Sequence, residues 1–383
     1  MSRIFSSLTA LALHLATIAS QAAARASLVV SVAVLVVAVM LLAGTRAAVA
    51  VQPMLVFYDN DFLGPGETSI QSLVPLLHDS DVQIVGLGVV TGDGWRNEEA
   101  ASLLRFLEIA KRTDIPVFLG AEMPLVRTPD ELHRWEVAYG KLPWLGAWNE
   151  AAPGTTFHPH DPQLIPPMHE GTPTLRASGE DAVSALIRLV RANPGKITIV
   201  AAGPLTDIAL AIRIAPDLPS LAKEIVIEGG NIDDERTQAT VSADDTTDFN
   251  FIFDPEAAHI VLTAPWDRIT VVGDVATSVR LTYAIVDRIA RSSTPVAQYL
   301  KAYAQTDEPF WDELTAAIAV DRSLITKDVD VVMDVDTMPG MHYGRARIWS
   351  ANDAPHTGAQ HVHLVLSVDG PRFIRAFIAA AQQ

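Results

Sequence analysis

"LVFYDNDFLGPGET", Leu55–Thr68, joins a short apolar run to two acids, Asp59 and Asp61, and then to a turn rich in Gly and Pro. An apolar run of this length, bounded by turn residues, reads as a buried strand. Acids just beyond such a strand suit a site for a hard cation or a sugar, because open α/β sheets bind ligands outside the carboxyl ends of their strands. The plainer alternative is that the acids only cap a turn or a helix. The turn supplies one further carboxylate, Glu67.

The chain after Ala50 repeats this grammar. Strands are expected at Met54–Tyr58, Val82–Val90, Pro116–Leu119, Ile197–Ala201, Glu224–Ile227 and Arg268–Val272. Between them, Glu98–Arg112, Gly179–Ala192 and Leu205–Ile214 carry the spacing of amphipathic helices, with Asn97 as the expected N-cap of the first. Alternating apolar strands and helices predict an α/β fold, a mostly parallel central sheet flanked by helices, in a single domain over residues 51–383. Residues 122–176 are rich in Trp, Pro and His without a strand pattern, and read as an insertion or lid. Asn231–Asp248 is a long polar loop, a place where function often sits. VDVVMDV, RARIWS and HVHLVLSV near the C-terminus read as short strands before a final helix.

The 383 residues carry a formal charge of −17, and their Lys and Arg are scattered. That argues against nucleic acid as a partner. There is no Cys, which excludes disulfides, zinc–thiolate sites and thiol nucleophiles.

Residues 1–50 differ from the rest. They hold no acid and three basic residues, Arg3, Arg25 and Arg46. Ala26–Gly44 is uncharged, and its 19 residues nearly span a hydrocarbon core of ~30 Å at ~1.5 Å per residue. An export signal or an N-terminal membrane anchor is expected. The small-residue pattern Ala48–Ala50 favours a cleaved signal. Either way the bulk of the chain is placed outside the cytoplasm, in a periplasmic or extracellular space or on the membrane. Without the three basic residues, 25 of the 28 remain against 45 acids, a charge near −20.

Five blocks, in one order, resemble the inosine–uridine nucleoside hydrolases: "DND" at Asp59–Asp61, "GLGVVTGDG" at Gly86–Gly94, "IPVFLGAEMPL" at Ile115–Leu125, "IVAAGPLTDIALA" at Ile199–Ala211 and "DFNFIFDPEAAHIVL" at Asp248–Leu262. "FWDELTAAIAV" at Phe310–Val320 follows, where the family has a His-Asp pair opening a helix. The likeness covers roughly residues 54–325 and looks like a divergent branch. It implies hydrolysis of the N-glycosidic bond of ribonucleosides by a calcium-activated water, and a homo-oligomer, although no stretch of sequence marks an interface. It implies Asp61 as metal ligand and general base, the Ala202 carbonyl and Asp312 as further ligands, and Asp59 as a supporting or hydroxyl-binding acid. Asp248 and Asn250 match the family's ribose-binding acid and Asn, and Asn231 is a further candidate. Calcium needs six to eight oxygens, which suits this donor set.

Two departures matter. The family's first motif continues to two adjacent Asp residues, whereas here only Glu67 follows. Either Glu67 replaces the second metal ligand or that ligand is missing. Trp311 stands where many relatives have a His that protonates the leaving base. An indole cannot do that, but it can stack on a base, or simply pack in the core. Glu313, His158, His160 and His169 are the alternative acids. Two other readings compete with the leading one: a non-catalytic nucleoside- or sugar-binding relative with a degraded metal site, and a hydrolase of another N-glycoside.

Overall fold

Strand β1, Met54–Asn60, lies in the middle of the sheet, between β2 (Val82–Val89) and β4 (Ile197–Ala201). The computed structural model describes residues 2–44, 52–149, 161–230 and 248–383. Among the described residues the sheet has nine strands, in the order β3-β2-β1-β4-β5-β6-β9-β7-β8. The remaining strands are β3 (Val117–Leu119), β5 (Glu224–Glu228), β6 (Ile269–Val272), β7 (Ile325–Val335), β8 (Ala346–Trp349) and β9 (Gln360–Val368). β3 through β6 pair in parallel, and β9 adds to β6 in the same sense. Only the β7 pairings, with β8 and β9, are antiparallel.

The chain runs outward from β1 to β2 and β3 on one side, then returns to lay β4, β5 and β6 on the other. This reversal makes the carboxyl ends of β1 and β4 a switch point, where a crevice opens. Burial on both faces explains why the strands read as continuous apolar runs. Along β1, Phe57 packs into one core and Val56 and Tyr58 into the other.

The helix expected from Glu98 starts earlier, at Arg96, and ends at Ile109. Asn97 is not its cap. The Arg96 amide bonds to the Thr91 hydroxyl at 3.0 Å, so a side chain from the preceding turn caps the helix and Asn97 is free to bond Gln163. The helix Ala182–Ala192 is capped by Asp181, which accepts from the Ser184 amide at 2.8 Å. The described part of residues 122–176 includes a helix at Pro129–Tyr139.

The chain divides into two compact units, Met1–Gln52 and Pro53–Gln383. The first contains one helix, Ser2–Gly44. Within it Leu11–Val34 has a mean hydropathy of 1.4 over its apolar window, long and apolar enough to cross a membrane.

Candidate active site

β1 ends on Asp59 and Asn60, and Asp61 follows in the crevice, almost fully buried. Its carboxylate accepts from the Asp93 amide at 2.8 Å. Two glycines let the backbone close around it. A Cβ on Gly203 would lie 2.8 Å from the Asp61 nitrogen, and one on Gly92 would lie 2.1 Å from Asp61 Oδ2. Asp93 sits in the turn after β2 and accepts from the Trp144 indole at 2.5 Å. Asp312, near the start of the helix Trp311–Val320, accepts from the Asn60 side chain at 3.0 Å.

The other wall comes from β4, β5 and the short helix Phe249–Phe253. Asp248 caps that helix, accepting from the Phe251 amide. Within the first turn, Asn250 donates to the Ala202 carbonyl at 2.6 Å and to Glu228 at 2.7 Å.

Burial lifts every carboxyl in this group, and the carboxyls then lift each other. Asp61 is pushed well above the usual range by burial, then by Asp93 and Asp312. Asp312 is raised by burial and then by Asp93 and Asp248, against the opposing bond from Asn60. Glu228 is raised by burial, Asp248, Asp312 and Asp61. Asp248 is pushed up to about 7 and Asp93 to about 6, burial leading in both.

The structure therefore brings together Asp61, Ala202, Asp248, Asn250 and Asp312. Asp59 is buried beside Asp207 instead, sharing a hydrogen bond, and Asp207 also accepts from the Ala121 amide at 2.7 Å. Two carboxyls in contact hold a proton between them. Glu67 is turned toward Gln305, whose amide it accepts. Burial, then Asp93 and Glu308, push it up to about 7. Trp311 is half-buried and packs against the core around Tyr58. Glu313 is buried and accepts from the Thr68 hydroxyl at 2.5 Å, while His169 is exposed. Asn231, His158 and His160 lie outside the described residues.

Sequence reasoning passed over Asn60, Asp93 and Glu228. The signal for Asp93 was present: it is an acid following a buried apolar strand, the same grammar that singled out Asp61, whereas Glu228 is itself the last residue of its strand.

The donor set suits a hard divalent cation. It is all oxygen, with buried carboxyls repelling one another, and among the described residues Glu228 Oε1 is buried with no hydrogen-bond partner. Among the described residues, however, no three His, Asp or Glu side chains stand close enough together to hold an ion.

Residues 56–375 match the profile of a family described as inosine-uridine preferring nucleoside hydrolase. An uncharacterized Schizosaccharomyces pombe protein is 30% identical over 324 residues, 80% of this chain and 79% of its own. A probable uridine nucleosidase of Arabidopsis thaliana is 30% identical over 62% of this chain and 65% of its own. The inosine-uridine preferring nucleoside hydrolase of Crithidia fasciculata is 27% identical over 57% and 61%. Among solved structures, a plant nucleoside hydrolase superposes with a TM-score of 0.65 at 24% identity, covering 86% of this chain and 99% of its own. An inosine-guanosine nucleoside hydrolase does so with a TM-score of 0.66 at 21% identity, covering 85% and 98%. These two likenesses speak to the fold.

Proposed function

Because the chain belongs to the inosine-uridine preferring nucleoside hydrolase family and cleaves the N-glycosidic bond of ribonucleosides, we propose that Asp61 is its general base and that the crevice at the switch point is its active site. The observation that carries this reading is the convergence of Asp61, Asp93, Asp312, Glu228 and Asp248 with Asn250.

Asp61 accepts the proton of a water as its oxygen bonds the anomeric carbon. The C–N bond breaks, and the base leaves with the electron pair and takes up a proton. Positive charge develops on the ribosyl centre, and fixed carboxylates facing it stabilise that transition state. Asp248 and Asn250 bind the ribose, Asp59 supports Asp61 from below, and Asn231 is a further ribose ligand. Trp311 stacks on the departing base.

Asp61, Asp312 and the Ala202 carbonyl would hold a calcium ion, with Glu67 as an added ligand if it leaves Gln305. When bound, the ion would offset the repulsion between the carboxyls, so that Asp61 is ionised, and would polarise the attacking water. The apolar helix in residues 2–44 supports an exported or membrane-anchored protein.

The test is release of free base from a panel of purine and pyrimidine ribonucleosides, with and without a chelator, beside Asp61→Asn. Loss of a general base removes about 10²–10⁴ in rate. The reading requires base release that the chelator stops, that calcium restores, and that Asp61→Asn reduces by at least 10². Nucleoside binding without base release would instead favour the non-catalytic relative.

A further inference from the structure

Glu228 is the last residue of β5, and only 3% of it is exposed. Its Oε2 accepts from Asn250 Nδ2 at 2.7 Å, and the same nitrogen donates to the Ala202 carbonyl at 2.6 Å. An amide nitrogen carries two hydrogens. Both are committed here, one to each acceptor. The Ala202 carbonyl can only accept, so the nitrogen must face it, and Glu228 takes the hydrogen that remains. Within the Asn250 side chain, Oδ1 is left to meet a ligand, and it too can only accept. Asn250 is itself buried, and the helix that bears it starts at the capping Asp248, so the amide is held at both its backbone and its tip.

We propose that Glu228 is a positioning residue that sets the polarity of sugar recognition: it holds Asn250 with Oδ1 toward the ribose, so that Asn250 accepts a hydrogen bond from a ribose hydroxyl and donates none. This rests on the ribonucleoside reading above and assigns that reading a residue outside the matched motifs. Without an acceptor at residue 228, the second amide hydrogen is unsatisfied and the amide can present its nitrogen to the sugar. The site then loses its demand for a hydroxyl proton. Among the described residues Glu228 Oε1 is buried with no hydrogen-bond partner, and the carboxyl is anchored through Oε2.

The experiment compares wild type, Glu228→Gln, Glu228→Leu, Asn250→Ala and the Glu228→Leu/Asn250→Ala double variant. Each is assayed on one good ribonucleoside and on its 2′-deoxy and 3′-deoxy counterparts, with kcat and KM resolved. Partners that orient a ligating group are typically worth about 10–100-fold. Glu228→Leu should raise KM for the ribonucleoside by that factor and leave one deoxy counterpart nearly unchanged. Glu228→Gln, which keeps an accepting oxygen, should stay within a few-fold of wild type. The double variant should be no worse than Asn250→Ala. Losses that multiply in the double variant, or that fall equally on all three substrates, overturn the proposal.

Wild-type protein carries a second arm that no folding defect can spoil. Fluorine in place of each sugar hydroxyl accepts weakly and cannot donate. At the hydroxyl that Asn250 reads, the fluoro analogue should bind no better than the matching deoxy compound; if the 2′-fluoro and 3′-fluoro analogues both restore binding, the assignment is overturned, and if either does not, it stands. If wild type releases no base from any ribonucleoside, the proposed function falls. Calorimetric binding of the same sugar analogues then decides the role of Glu228 separately.

Discussion

The side-chain amide of Asn60 donates to Asp312 at 3.0 Å across 252 positions of sequence. One bond thus ties the end of β1 to the helix that carries the late acid, and both residues are buried.

Asn60→Leu would leave that Asp312 oxygen without its donor, among other carboxyls. A buried polar group left unsatisfied costs about 1–3 kcal/mol. Chemical denaturation should register a loss in that range, with base release falling alongside. An unchanged midpoint would mean that Asp312 is held by something else.

Gly203→Ala places a Cβ 2.8 Å from the Asp61 nitrogen and 2.9 Å from Oδ1. The backbone there needs no left-handed conformation, so the damage comes from the contact itself, which shifts the main chain and carboxylate of Asp61. Misplacing a reacting group by about 1 Å can lower the rate ~10²-fold. The expected result is a folded protein with kcat down by that order and a melting temperature within a few degrees of wild type. Full activity would show that Asp61 tolerates displacement.

Asp248 and Asp207 are both lifted to about 7 in the fold, burial being the largest cause. A carboxyl raised above its unfolded value holds its proton longer in the native state than in the unfolded chain. Its contribution is complete below the unfolded value near 4 and is lost as pH climbs to about 7. The cation-free protein should therefore melt at a higher temperature at pH 5 than at pH 8. Calcium binds the native site in competition with protons on Asp61 and Asp312, which burial also raises, so its stabilising shift should be larger at pH 8. Scanning fluorimetry at both values, with calcium and with chelator, measures the two shifts. Equal shifts would argue that the ion binds away from these carboxyls.

Glu67 is engaged by Gln305. If it remains there when the site is loaded, Glu67→Gln should keep calcium affinity within a few-fold. If it swings inward as a ligand, affinity should fall at least tenfold while the melting temperature of the cation-free protein stays put. Isothermal titration distinguishes the two.

The sheet was legible because its strands are buried on both faces and so read as unbroken apolar runs between polar turns. Asp59, Asp61 and Asp312 stood out because each adjoins a pattern with a clear beginning, but only Asp61 and Asp312 line the crevice. What escaped was pairing at a distance. No local signal tells that Asp59 lies against Asp207, or that Glu67 faces Gln305 from 238 positions away. Glu228 was hidden by its strand, in which a terminal acid after EIVI reads as the edge of a turn. The capping of the Arg96 helix by Thr91 was lost for the same reason, since the Thr belongs to the preceding turn.

The crevice collects more carboxyls than the two charges of one divalent ion could neutralise: Asp61, Asp93, Asp248, Asp312 and Glu228. A phosphate carried in on the sugar would enter a field of its own sign. The same acidity that calls for a cation should therefore set the site against nucleotides, and a ribonucleoside 5′-phosphate should bind more weakly than its nucleoside.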